Sequence, residues 1–82
     1  MTAARLREIL AALDMSQRGL ARMINCQEGT VRYWARGDGR VPAEVADWLE
    51  RLMLAAPSLA FHRDQMALIW AQYPPPDFAQ IA

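Results

Sequence analysis

Apolar residues recur along the chain at helical rather than alternating spacing. Leu6, Ile9, Leu10 and Leu13 fall at i, i+3, i+4 and i+7, which predicts an amphipathic helix over 2–13 with Thr2 as its N-cap. Asp14 and Met15 break the pattern. Ser16 then caps a second short helix to about residue 23, turning Leu20, Ala21 and Ile24 inward. Asn25 stands where a short connection needs a left-handed residue, and a third helix over 27–36 buries Val31 and Trp34. The run Gly37-Asp38-Gly39 stops it. Pro42 opens a fourth helix to about residue 55, with Val45, Trp48, Leu49 and Leu52 on one face and Glu44, Asp47 and Glu50 on the other. After Pro57, Ser58 caps a fifth helix to about residue 73, whose stripe is Leu59, His62, Met66, Ile69 and Tyr73. Pro74-Pro75-Pro76 ends it, and an extended arm carrying Phe78 and Ile81 is expected to follow. The pattern predicts an all-α, five-helix domain.

The chain has 82 residues and 54% hydrophobic composition, enough for one core and too little for two. The expected division is functional: 1–56 as the main helical core, and 57–82 as a C-terminal helix and arm of the same domain. Met66, Ile69, Trp70, Tyr73 and Phe78 look hard to bury in so small a domain, so they are the candidate dimer interface. Cys26 is the only cysteine and His62 the only histidine, which leaves neither a disulfide nor a ligand set for a structural metal. Cys26 reads as a small core residue and His62 as packing. No nucleophile is paired with a base, so neither enzymatic activity nor a cofactor is expected. No apolar run approaches the roughly 20 residues of a membrane span, and no basic-then-apolar leader is read at the start. The expectation is a cytoplasmic protein without a membrane partner.

Net charge is zero, but the sum hides a dipole. Residues 1–41 carry seven arginines against four acids, and residues 42–82 carry two against five. Contact with a polyanion follows the local field, so the first part can present a basic face. All nine cations are arginine, the side chain suited to bidentate recognition of phosphate and guanine, although genomic base composition also produces such a bias.

The second and third predicted helices are separated by only a few residues, the spacing of a helix-turn-helix. Ala21 is small where the next helix must cross closely, and Asn25 makes the turn. With these positions, "SQRGLARMINCQEGTVRYWARGDGRVP" resembles the helix-turn-helix of the lambda-repressor-like (Cro/XRE) DNA-binding domains over about 2–54. Two positions depart from that pattern: Asn25 replaces the usual turn glycine, and Ala35 stands where an acidic residue is common.

The resemblance implies that the third helix enters the major groove while the second straddles the backbone. Gln27, Glu28, Gly29 and Tyr33 then face bases, with Arg32 on the same face, and Gln17 contacts phosphate. Arg18, Arg36 and Arg40 are candidates for further phosphate contacts. Chemically, Gln27 suits adenine, Glu28 suits cytosine N4 and Arg32 suits guanine O6/N7. Glu28 equally suits the helix dipole, and burial of Tyr33 against the fourth helix is the alternative to a base contact.

The functional expectation is a sequence-specific double-stranded DNA-binding transcriptional regulator, a repressor acting as a homodimer on an inverted-repeat operator; no small-molecule effector is inferred. An antitoxin-like or adaptor protein that uses the helical domain mainly for protein contact is the alternative.

Overall fold

The computed structural model describes residues 1–55 and 66–81, with the side chains of 66–68 outside that description. The described residues are helical and contain no strand. Their helices are α1 Ala3–Ala12, α2 Gln17–Met23, α3 Glu28–Ala35, α4 Ala43–Ala55, α5 Met66–Gln72 and α6 Phe78–Ile81. Thr2 and Ser16 cap α1 and α2 as expected: Thr2 Oγ1 accepts from the Arg5 amide at 3.0 Å, and Ser16 Oγ from the Gly19 amide at 2.9 Å.

The first three helices all end in the same way. Asp14, Asn25 and Gly37 adopt φ of 52°, 60° and 84°. In each case the following amide reaches back five residues, from Met15 to the Leu10 carbonyl, Cys26 to Ala21 and Asp38 to Tyr33. These are Schellman closures, which satisfy terminal carbonyls and fix the direction in which the chain departs. The α2–α3 connection is therefore a defined turn rather than a loose loop.

Leu6, Ile9, Leu10 and Leu13 of the first stripe, Leu20, Ala21 and Ile24 of the second, and Val31, Trp34 and Ala35 of the third meet in one core. Val41, Val45, Trp48, Leu49, Leu52 and Ile69 complete it. Helix α3 packs on both α1 and α2, and α1 also packs on α4. Among the described residues, no buried side-chain polar atom lacks a hydrogen-bond partner.

The C-terminal part differs from the expectation in two respects. The proline run does end α5, but Asp77 restarts helical structure: its Oδ1 accepts from the Ala79 amide at 3.0 Å, and α6 stands where an extended arm was expected. The apolar residues are also turned toward their own chain. Ile69 is fully buried, while Trp70, Tyr73, Phe78 and Ile81 pack partly buried against the core. Trp70 lies 5.8 Å from Trp48 between ring centroids, and Phe78 meets Trp34 edge-on at 5.7 Å. The domain thus covers these side chains in part, through contacts to Trp48 of α4 and Trp34 of α3, and fully only at Ile69. Ser58, His62 and the side chain of Met66 lie outside the described residues.

One polar clamp, Arg5 with Glu50, joins α1 to α4 and is not apparent from either helix alone. Arg5 donates to both Glu50 carboxylate oxygens, at 2.8 and 2.9 Å, and also pairs with Glu8. The Arg5 hydrogen bonds, helped by the charges of Arg5 and the N-terminal ammonium, hold the Glu50 carboxyl below its usual range. A lowered folded-state pKa adds stability that is complete above the unfolded value of about 4.3 and is lost as pH falls through the folded value. Glu50→Gln should therefore lower the melting temperature at pH 7 but have little effect at pH 2–3. Thermal melts of both proteins across that range would show the two curves converging in acid.

Candidate nucleic-acid interface

Burial of Val31, Trp34 and Ala35 decides what α3 leaves outside. Gly29, Arg32, Tyr33 and Arg36 form the opposite i, i+3, i+4, i+7 stripe, and all four are exposed. Gln27, also exposed, is the residue before the helix, and its side chain makes no capping hydrogen bond. Its amide is consequently uncommitted. Gly29 is open in a stricter sense, since a Cβ placed there would meet no atom within 4 Å.

Tyr33 is 46% exposed and does not bury itself against α4. Its ring covers Gly39 so closely that a Cβ at position 39 would lie 2.0 Å from Tyr33 Cε1. Only glycine allows this arrangement, and Gly39 thereby sets where the phenol stands.

The charged residues form short pairs. Glu28 lies between two helices' arginines, 3.1 Å from Arg32 Nη2 and 3.9 Å from Arg18 Nε. Arg36 pairs with Asp38 at 3.1 Å. Arg22 and Arg40 are exposed and have no ion-pair partner among the described residues. Exposed pairs of this kind contribute roughly 0–1 kcal/mol each to stability, so Arg36 can leave Asp38 for a phosphate at little cost to the fold. Gln17 is the first residue of α2 and half-buried. Between residues 17 and 40 the chain carries five arginines against two acids.

No family model, curated protein or solved structure matches this chain. The interface therefore stands on its own geometry. The second and third helices, the tight turn and the outward positions of Gln27, Gly29, Arg32, Tyr33, Arg36 and Arg40 follow the sequence expectation. Glu28 is the residue whose placement differs most in consequence, because its carboxylate is already shared by two cations.

Three contributors escaped the sequence reading. Arg22 adds an exposed cation in the last turn of α2. Arg7 donates to the Ala35 carbonyl and ties the C-terminal end of α3 to α1. Ala35 itself is buried, which explains why a small residue occupies a position where a carboxylate would have to be desolvated. The third contributor is the C-terminal segment: the Phe78 amide donates to the Ile24 carbonyl at 2.7 Å, and Asn25 Nδ2 donates to Asp77 Oδ1 at 3.3 Å. These contacts brace the α2–α3 turn. Cys26 packs partly buried beside that turn, and burial pushes its thiol pKa up, away from the reactive thiolate.

Among the described residues, no group of His, Cys, Asp and Glu is placed to hold a metal ion, and no helix is long and apolar enough to cross a membrane.

Proposed function

We propose that this chain binds double-stranded DNA with the outer stripe of α3 in the major groove, as a helix-turn-helix transcriptional regulator of the lambda-repressor-like kind. The observation that carries the reading is the exposed run Gln27, Gly29, Arg32, Tyr33 and Arg36 on a short helix held by a defined turn. A recognition helix must project a few side chains while its scaffold stays rigid. In this reading Gln27 addresses adenine and Arg32 guanine, each with roughly 1–3 kcal/mol of discrimination. Gln17, Arg36 and Arg40 hold phosphates, and Arg22 joins them, while Arg18 stays beside Glu28.

Two-fold DNA sites are the usual counterpart of such a domain, so an inverted repeat with half-sites about 34 Å apart is the expected operator of a homodimeric repressor. Ile69 is engaged within the chain, while Trp70, Tyr73 and Phe78 are only partly buried and keep surface for a second copy.

Arg32→Ala should reduce binding to the preferred sequence by roughly tenfold or more while scarcely changing binding to random duplex. Arg40→Ala should weaken both alike and make the salt dependence shallower by about one phosphate contact. Fluorescence anisotropy over a salt series separates the two patterns; equal effects from both substitutions would refute the assignment of roles.

Gly29→Ala provides a second check, since the added methyl group meets no protein atom. It should raise stability by roughly 0.5–1 kcal/mol, because alanine loses less backbone entropy in a helix. If DNA approaches the α3 backbone at this point, the more stable variant binds its site more weakly. Melting and binding assays on one preparation test both effects.

A further inference from the structure

We propose that Glu28 is a positioning and discriminating residue: its carboxylate aims Arg32 at a guanine and penalises capture of Arg18 and Arg32 by nonspecific phosphate. The inference rests on the DNA-binding reading of α3 and assigns to Glu28 a part different from accepting a hydrogen bond from cytosine. Its basis is the placement of one half-exposed carboxylate between an arginine of α2 and an arginine of α3, with one oxygen toward each: Oε2 lies 3.9 Å from Arg18 Nε, and Oε1 lies 3.1 Å from Arg32 Nη2.

Arg32 has five N–H donors, and Glu28 engages the guanidinium at one amino group. The remaining donors stay available for O6 and N7 of a guanine, with the long side chain already held in one orientation. Less rotamer freedom is then lost on binding. Glu28 and Arg32 are also i and i+4 on α3, so the helix itself keeps them together.

A phosphate acts differently from a base. If it draws Arg18 or Arg32 away, Glu28 remains as an uncompensated carboxylate beside a polyanion. A guanine edge leaves the pair intact, because it is neutral and takes only the free donors. The carboxylate thereby selects against the competing bound state as well as shaping the correct one, which is how repulsive elements generate specificity. Gln27 and Gly29, its chain neighbours, contribute no charge that would offset it.

The test compares wild type with Glu28→Gln and Glu28→Ala by anisotropy on two probes: the duplex selected by the wild-type protein from a random pool, and a random-sequence duplex of the same length. Melting temperatures are measured alongside. Both variants are expected to bind random duplex several-fold more tightly, with a salt slope steeper by up to about two phosphate contacts, and to lose roughly tenfold in the ratio of selected to random affinity. Glu28→Asp, which keeps the charge on a shorter arm, should recover the weak random-duplex binding. If the variants shift both affinities by the same factor, or only lower the melting temperature, Glu28 serves the helix terminus alone and the proposal is overturned. A wild-type protein that enriches no duplex from the random pool and does not bind random duplex would overturn the DNA-binding reading itself, a result distinct from the previous one.

Discussion

Trp48→Ala should remove most of the domain's stability. Trp48 is 5% exposed, packs against Trp70, and donates from Nε1 to the Tyr73 carbonyl at 2.8 Å. Truncating a buried tryptophan costs about 3–5 kcal/mol. A domain of this length has a total stability of about 4–12 kcal/mol at typical values per residue. The expected result is a melting temperature lower by at least about 15 °C, or no cooperative transition at all. Trp48→Phe separates the two contributions, since it keeps most of the apolar volume and leaves the Tyr73 carbonyl without its donor, at roughly 1–2 kcal/mol. A Trp48→Ala protein that unfolds within a few degrees of wild type would mean that residues 69–73 do not pack on α4 in solution.

Phe78→Ala is expected to have the second-largest effect, and its consequence reaches the candidate interface. The side chain is only half-buried, so its loss should cost about 2 kcal/mol rather than the full value for a core aromatic. Its ring meets Trp34 on the inner side of α3, and its amide closes on Ile24 at the turn. Loosening α6 therefore releases both the buried anchor of α3 and the turn that aims it. Amide exchange should accelerate in α6 and around residues 24–27 before it does in α1. DNA affinity should fall more than Arg40→Ala lowers it, although Phe78 itself faces away from the outer stripe. Unchanged exchange at the turn would show that the C-terminal segment is an appendage rather than a brace.

The comparison of pattern with structure shows which physical signals a single sequence carries. Apolar periodicity identified the buried residues of α1 to α4 well, because each helix contributes one face and the burial of that face is what forms it. Turn chemistry was equally legible at Asn25 and Gly37, where few residue types tolerate positive φ. At Asp14 the break was visible but the left-handed conformation was not, since aspartate serves as readily in other turns.

Long-range pairing was the part that pattern did not disclose. Arg5 and Glu50 are 45 residues apart, and Asn25 and Asp77 are 52 apart; nothing in either segment announces its partner. The partial covering of Trp70, Phe78 and Ile81 is hidden for the same reason, because it depends on the chain returning to Trp48 of α4 and Trp34 of α3. At the interface, exposure could be inferred residue by residue from the buried stripe. The sharing of Glu28 between Arg18 and Arg32 depends on how α2 crosses α3, a geometry that composition cannot supply.

The central claim is that α3 reads duplex DNA. The most direct measurement is repeated selection of bound duplexes from a random pool by purified full-length protein at near-physiological salt, followed by sequencing. The account predicts an enriched motif containing guanine and adenine at fixed positions, arranged as an inverted repeat with half-sites one helical turn apart, and loss of the guanine preference with Arg32→Ala. A pool that remains random after selection, from protein shown by circular dichroism to be folded, would contradict it.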